Sequence, residues 1–241
     1  MAGLDVSVAP VRVLAISPIP EEGAGCRFRV SQYVPYLESQ GFKVTIRPFY
    51  TPEFFRMVYK RGHFLRKSLT FLGLLARRLS VLRELSEYDV VLLYREAVPV
   101  GPPWIERRIA RRGLPIVFDF DDAIFMGDTS EANRHLAFLK NPGRTAQIIG
   151  FSSHVMVGNS FLADYARRFN PAVTVVPTVV DTTRFVPRPD RERVPAGGPV
   201  VGWIGSPTTY HYLENMAGLL YDAAKNHAFT LKVSGAGKPV H

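Results

Sequence analysis

Short apolar runs recur along this chain at intervals that leave room for one helix between each pair. Residues 11–16, 43–49, 89–93, 115–120, 154–158 and 173–176 are such runs. Several of them lack the apolar–polar alternation of a half-exposed strand, which is what a strand buried on both faces of a parallel sheet requires. The segments between them carry helical patterning. Residues 27–40 place Val30, Tyr33, Val34 and Leu37 on one face and meet Gly41, a helix stop. Asn159 and Ser160 stand where a cap for a helix over 161–169 is needed. Strand–helix alternation of this kind predicts an α/β protein with a doubly wound parallel, Rossmann-like sheet.

The rhythm pauses at residues 187–199, a Pro- and Gly-bearing stretch that suits a linker. It resumes with a strand over 200–204, a helix over 209–225 and a strand over 230–234. The expected organisation is therefore a first domain over 1–194 and the start of a second Rossmann-like unit over 195–241, incomplete as it stands. About forty residues cannot bury an ordinary α/β core alone. The join between strand and helix in this second unit reads Gly202-Trp203-Ile204-Gly205-Ser206-Pro207-Thr208-Thr209. Such a turn can present backbone N–H groups to an anion, or it can be an ordinary strand-to-helix turn.

With 46% hydrophobic residues the chain can build a substantial core, and it is not a disordered composition. Thirty Lys and Arg against twenty-one Asp and Glu give a net charge of +9, which favours anionic partners without choosing among them. The single cysteine, Cys26, excludes an internal disulfide and fits a reducing, cytoplasmic setting. No window approaches eighteen uninterrupted apolar residues, which argues against a membrane-spanning helix.

Candidate chemistry gathers where strands are expected to end, since open α/β sheets bind ligands at the carboxyl edge. Asp119, Asp121 and Asp122 follow one strand, and three carboxylates so close need a hydrogen bond, a cation or a metal to coexist. They either face a substrate hydroxyl, one acting as general base, or cap the next segment and pair with arginines. Arg95 and Glu96 end the preceding strand. Gly23 and Gly25, with Arg27 and Arg29 behind them, could bring backbone and positive charge to a phosphorylated ligand. They do not form a dinucleotide fingerprint: six residues separate Ile16 from Gly23, and Phe28 occupies the third glycine position. The terminal Gly-Ala-Gly-Lys is not a P-loop, because Pro239 stands where a Ser or Thr must hold magnesium. The histidines show no metal-ligand spacing, and no nucleic-acid module is recognisable.

Residues 51–87 are helical, basic and apolar together. They supply either helices covering the sheet or an amphipathic surface for an acidic membrane.

Several stretches together resemble the GT-B glycosyltransferases of the retaining group often called family 4 or group 1. They are 12–16 with Arg27-Phe28-Arg29, the strand ending at Asp119 to Asp122, Val155 to Leu162, and above all Val176-Pro177-Thr178-Val179-Val180-Asp181-Thr182-Thr183-Arg184-Phe185. The last is similar to that family's Pro-Asn-Gly-Val-Asp loop, with Thr178 and Val179 departing from it. The resemblance implies transfer of a sugar from a nucleotide-sugar to a glycan, lipid or small-molecule acceptor, with retention and without a metal or other cofactor. It places Asp121 and Asp119 in catalysis, Gly23, Gly25, Arg27, Gly205, Ser206 and Thr208 near the donor, and Arg95, Glu96 and Asp122 near the acceptor. The family's paired-glutamate motif would lie beyond His241, so the resemblance equally accommodates a non-catalytic acceptor-binding or complex subunit. A peripheral membrane adaptor, built on residues 51–87, is the other alternative.

Overall fold

The computed structural model of the chain describes residues 9–58, 60, 62–126, 143–187, 198–205 and 209–236. They divide into two compact units, Met1–Asp181 and Thr182–His241.

The first unit is built on six parallel strands: β1 (Val11–Ser17), β2 (Phe42–Pro48), β3 (Val90–Tyr94), β4 (Ile116–Phe120), β5 (His154–Val157) and β6 (Val173–Val175). Their order across the sheet is β2-β1-β3-β4-β5-β6. The chain therefore leaves β1 to one side for β2, crosses back to pair β3 with β1, and then runs outward. That reversal is a topological switch point, and it falls at the carboxyl ends of β1 and β3. The architecture is the α/β Rossmann-like sheet that the alternation predicts.

Alternation along the strands sorts the core into two clusters. Leu14, Ile16, Val91, Leu93, Phe118 and Phe120 belong to the larger one, with Ile105 and Ile109 of α5 (Trp104–Arg111) and Ile148 and Ile149 of α6 (Arg144–Phe151). Ala15 and Tyr94, the intervening positions, join Cys26 and Val30 in the smaller one. In a strand successive side chains alternate faces, so Asp119, between Phe118 and Phe120, shares the Tyr94 face. That face is the one on which α1 (Ala24–Arg29) packs.

Helix boundaries differ from expectation in two places. The helix expected over 27–40 starts earlier, as α1, and breaks at Val30, whose φ and ψ of −127° and −67° are not helical. A 3-10 turn over Ser31–Tyr33 follows, then α2 (Val34–Ser39). The basic segment forms α3 (Pro52–Val58) and α4 (Phe64–Ser80). The cap at Asn159 is as expected: its side chain accepts from the Leu162 N–H at 3.0 Å and begins α7 (Ser160–Arg167).

In the second unit β7 (Val200–Ile204) pairs in parallel with β8 (Thr230–Ser234). The expected helix 209–225 is two, α8 (Tyr210–Asn215) and α9 (Ala217–Asn226), separated at Met216. Most of the expected linker 187–199 lies outside the described residues.

Candidate functional site

The carboxyl edge of β3 and β4 carries a dense set of charges, arranged by the alternation just described. Asp119, on the α1 face and 1% exposed, meets Arg29 from the last turn of α1. Arg29 Nε donates to Asp119 Oδ2 at 2.9 Å and Nη2 donates to Oδ1. Arg29 Nη1 donates to the Val176 carbonyl at 2.5 Å and reaches the Thr178 hydroxyl at 3.4 Å. The guanidinium thus ties α1, β4 and the loop after β6 together. Burial pushes the Asp119 carboxyl above its ordinary range, against the opposing pull of Arg29.

Asp121, one residue past β4, behaves differently. It keeps 18% of its side chain exposed. Tyr94, the last residue of β3, donates its hydroxyl to Asp121 Oδ1 at 3.0 Å. Burial raises the Tyr94 phenol far above its usual pKa, so it remains a donor throughout the pH range in which proteins work. Arg95 Nη2 pairs with Asp122 and lies 3.8 Å from Asp121 Oδ1. The Arg95 guanidinium also sits over the Tyr94 ring, 5.5 Å from its centre.

Two backbone features fix this geometry. Arg95 is at φ +55°, in the left-handed region, held there as its N–H donates to the Asp119 carbonyl at 2.8 Å. A non-glycine residue in that region costs of order 1–3 kcal/mol and persists where surrounding structure over-determines it. Gly158, after β5, approaches Asp121 so closely that a Cβ there would lie 3.1 Å from the Asp121 Cα.

Each glycine expected near the donor has a close contact of its own. The Gly23 N–H is occupied by the Pro20 carbonyl at 2.9 Å. Gly25 is required by a close approach: a Cβ there would overlap the Tyr94 hydroxyl and lie 2.9 and 3.0 Å from two carbons of its ring. The Gly205 N–H is likewise occupied, by the Ser234 carbonyl at 3.1 Å, and a Cβ on it would meet the Trp203 ring at 2.5 Å. Ser206 and Thr208 lie outside the described residues. Arg27 is half-buried, with its guanidinium 5.2 Å from the centre of the Phe28 ring. Glu96 is half-buried directly beyond Arg95, and Asp122 is exposed.

The structure therefore brings Arg95, Asp119, Asp121 and Asp122 together with Arg29, Tyr94, Gly25 and Gly158. Asp119 is a carboxylate whose two oxygens are engaged by Arg29. Asp121 is the carboxylate left with access and with one oxygen oriented. The sequence sets Tyr94 with Arg95 and Glu96 at the ligand-binding end of a strand and Gly158 after another, but gives neither a role. Tyr94 had a signal, since it ends an apolar strand beside Arg95; Gly158 had only its position after β5. Among the described residues no group of three or more His, Cys, Asp or Glu is placed to hold a metal ion.

No family model matches the chain, and no curated protein matches it. Among solved structures it is similar to an alpha-glucosyltransferase in complex with UDP and a 13-mer DNA containing a HMU base. The identity is 12% and the TM-score 0.47, over 95% of this chain and 68% of that one. It is also similar to Glycyrrhiza uralensis UGT73P12 complexed with glycyrrhetinic acid 3-O-monoglucuronide. There the identity is 12% and the TM-score 0.42, over 92% of this chain and 62% of that one. At these values the likeness carries no argument about chemistry.

Proposed function

We propose that the chain belongs to a glycosyltransferase of the GT-B, family 4 type, which moves a sugar from a nucleotide-sugar to an acceptor with retention. One observation carries this. A partly exposed carboxylate, Asp121, stands at the carboxyl edge of a parallel sheet, just past β4 and next to the switch-point strand β3, oriented by a phenol and flanked by an arginine. Asp121 orients or deprotonates an acceptor hydroxyl, the work a positioned carboxylate does well. Arg95 supplies positive charge beside it, suited to a sugar phosphate or to charge building up on a departing diphosphate. Asp119 and Arg29 are positioning residues: they lock α1 and the loop after β6 against β4. No metal is assigned a part, and Arg95 together with Arg27 would meet the negative charge of the donor. The resemblance of residues 176–185 to the family's Pro-Asn-Gly-Val-Asp loop supports the same reading, since Val176 and Thr178 contact Arg29.

The test is a transfer and donor-hydrolysis assay with a panel of UDP-, GDP- and ADP-sugars against glycan, lipid and small-molecule acceptors. Turnover with one donor is expected. No turnover with any donor or acceptor would replace the enzyme with a non-catalytic acceptor-binding subunit.

A second reading has its own observation. Phe64, Leu65, Leu69 and Leu72 of α4 are 60–81% exposed. Such an apolar stripe, with Arg66 and Arg77 beside it, suits an acidic membrane surface. A protein bound there through α4 would act at the inner face of the membrane, on a lipid acceptor or as an adaptor.

A further inference from the structure

A second basic site lies at the β2 edge of the sheet, with β1 and β3 between it and the carboxylates of β4, and nothing in the proposed reaction uses it. It is a cavity of about 370 Å³ walled by the end of β2, the start of α3 and the last turns of α4. Arg47, Arg77, Arg78 and Glu84 line it, three cations against one anion. Glu84 is engaged by Arg47 at 3.4 Å, in a pair open to solvent. Arg77 Nη2 donates to the Pro48 carbonyl at 2.8 Å.

Arg78 is the unusual member. It is 3% exposed, on the inner side of α4. Its Nη2 donates to the carbonyls of Ser17 and Arg47, at 3.1 and 2.8 Å. Its Nε and Nη1 are buried without an acceptor among the described residues, and no carboxylate among them lies within ion-pair distance. Burial, with Arg77 adding to it, lowers its pKa to about 9. A buried cation is normally answered by a counter-charge and by acceptors for its N–H groups. The Glu106 carboxylate acts on Arg78 only from beyond ion-pair distance, and Arg78 lines the same cavity as Arg47 and Arg77.

We infer that this cavity binds a phosphate-like anion, either a phosphorylated small molecule or a phospholipid headgroup. Arg77 and Arg47 contact it directly, and Arg78 supplies charge from the wall behind. Arginine suits this chemistry because its planar fork matches phosphate oxygens. The inference stands apart from the sugar-transfer reaction and does not rest on it.

The test is calorimetric titration with inorganic pyrophosphate against chloride at equal ionic strength, on the wild-type chain and on Arg77→Gln, Arg47→Gln and Arg78→Met. Saturable pyrophosphate binding is expected, weakened about tenfold or more by Arg77→Gln, the loss that goes with one charge-assisted hydrogen bond. Arg78→Met removes the donor to two strand-end carbonyls; if it does not fold, the other two variants, which leave that donor in place, decide. Competition by phosphatidylcholine vesicles containing phosphatidic acid would assign the anion to a lipid headgroup. Binding without competition would assign it to a soluble phosphoryl compound, and both results support the site. No binding beyond chloride would overturn the inference. So would affinity unchanged in both glutamine variants, or binding lost instead in Arg95→Asn.

Discussion

Asp121 owes its orientation to a contact that a single methyl group would break. Its partner Tyr94 is 1% exposed and fixed by β3, and the Tyr94 hydroxyl is passed at close range by Gly25. Gly25→Ala should therefore cost about 1–3 kcal/mol of unfolding free energy, the usual range for overpacking a filled core. Tyr94→Phe removes the overlapping oxygen, so the double variant should recover part of that loss, while the ring carbons keep the recovery incomplete. Chemical denaturation of the four proteins as a cycle measures the coupling; strict additivity would show that the overlap is relieved elsewhere. Arg95 makes a different trade. Asn accepts the left-handed backbone more readily than Arg does. Arg95→Asn should hold or raise stability, by up to about 1 kcal/mol, while sugar transfer drops at least about tenfold through loss of the charge. A variant both less stable and fully active would show that Arg95 is structural. These residue-level links were only partly legible in the sequence. The Asp cluster and Arg95 announce themselves by lying at strand ends. The Arg29–Asp119 pair spans 90 positions, and no local pattern reports which of thirty basic residues meets which carboxylate.

Elements were more legible than contacts. Among the described residues the eight strands lie within a residue or so of the apolar runs that predict them; for β1, β3, β4 and β5 the reason is burial, which leaves a compositional trace, while β6, β7 and β8 are largely exposed. Helices were less so. Amphipathic spacing continues through Val30, whose φ and ψ leave the helical region, and through Met216, whose N–H bonds three residues back to Leu213 while φ and ψ of −90° and −5° stay near the helical region; in both places the spacing outlasts the α-helix. The basic segment 51–87 divides into an inner and an outer side only in three dimensions. Leu74 and Arg78 of α4 face the sheet, whereas Leu65, Leu69, Leu72 and Leu79, four, three and seven positions apart, stay exposed. Arg78 is thus removed from the set of basic residues expected to meet lipid, and the membrane reading rests on the outer stripe. Sedimentation with vesicles containing phosphatidylserine tests it. The triple variant Leu65→Ser, Leu69→Ser, Leu72→Ser should lose most vesicle binding with its folding unchanged. Equal sedimentation of the two proteins would leave α4 as a covering helix.

At the scale of the molecule, a first unit carries the six-stranded sheet and the charged rim, and a smaller one carries the strand pair β7–β8. The sequence placed the join near residue 195, where composition shifts, whereas the compact units part at Asp181–Thr182. Composition marks where a chain changes character, and packing marks where its contacts thin. A net charge of +9 draws anionic substrates toward such a surface without choosing the place of reaction. The place of reaction is what we propose and what is to be tested: sugar transfer at the carboxyl edge of β3 and β4, with Asp121 at its centre. The most direct measurement is kcat/KM for the preferred nucleotide-sugar in the wild type, Asp121→Asn and Asp122→Asn, with folding checked by circular dichroism. The account predicts a loss of about 10²–10⁴-fold in Asp121→Asn, the span expected of a positioned proton acceptor, and a far smaller loss at the exposed Asp122. Equal activity in the wild type and Asp121→Asn would contradict it.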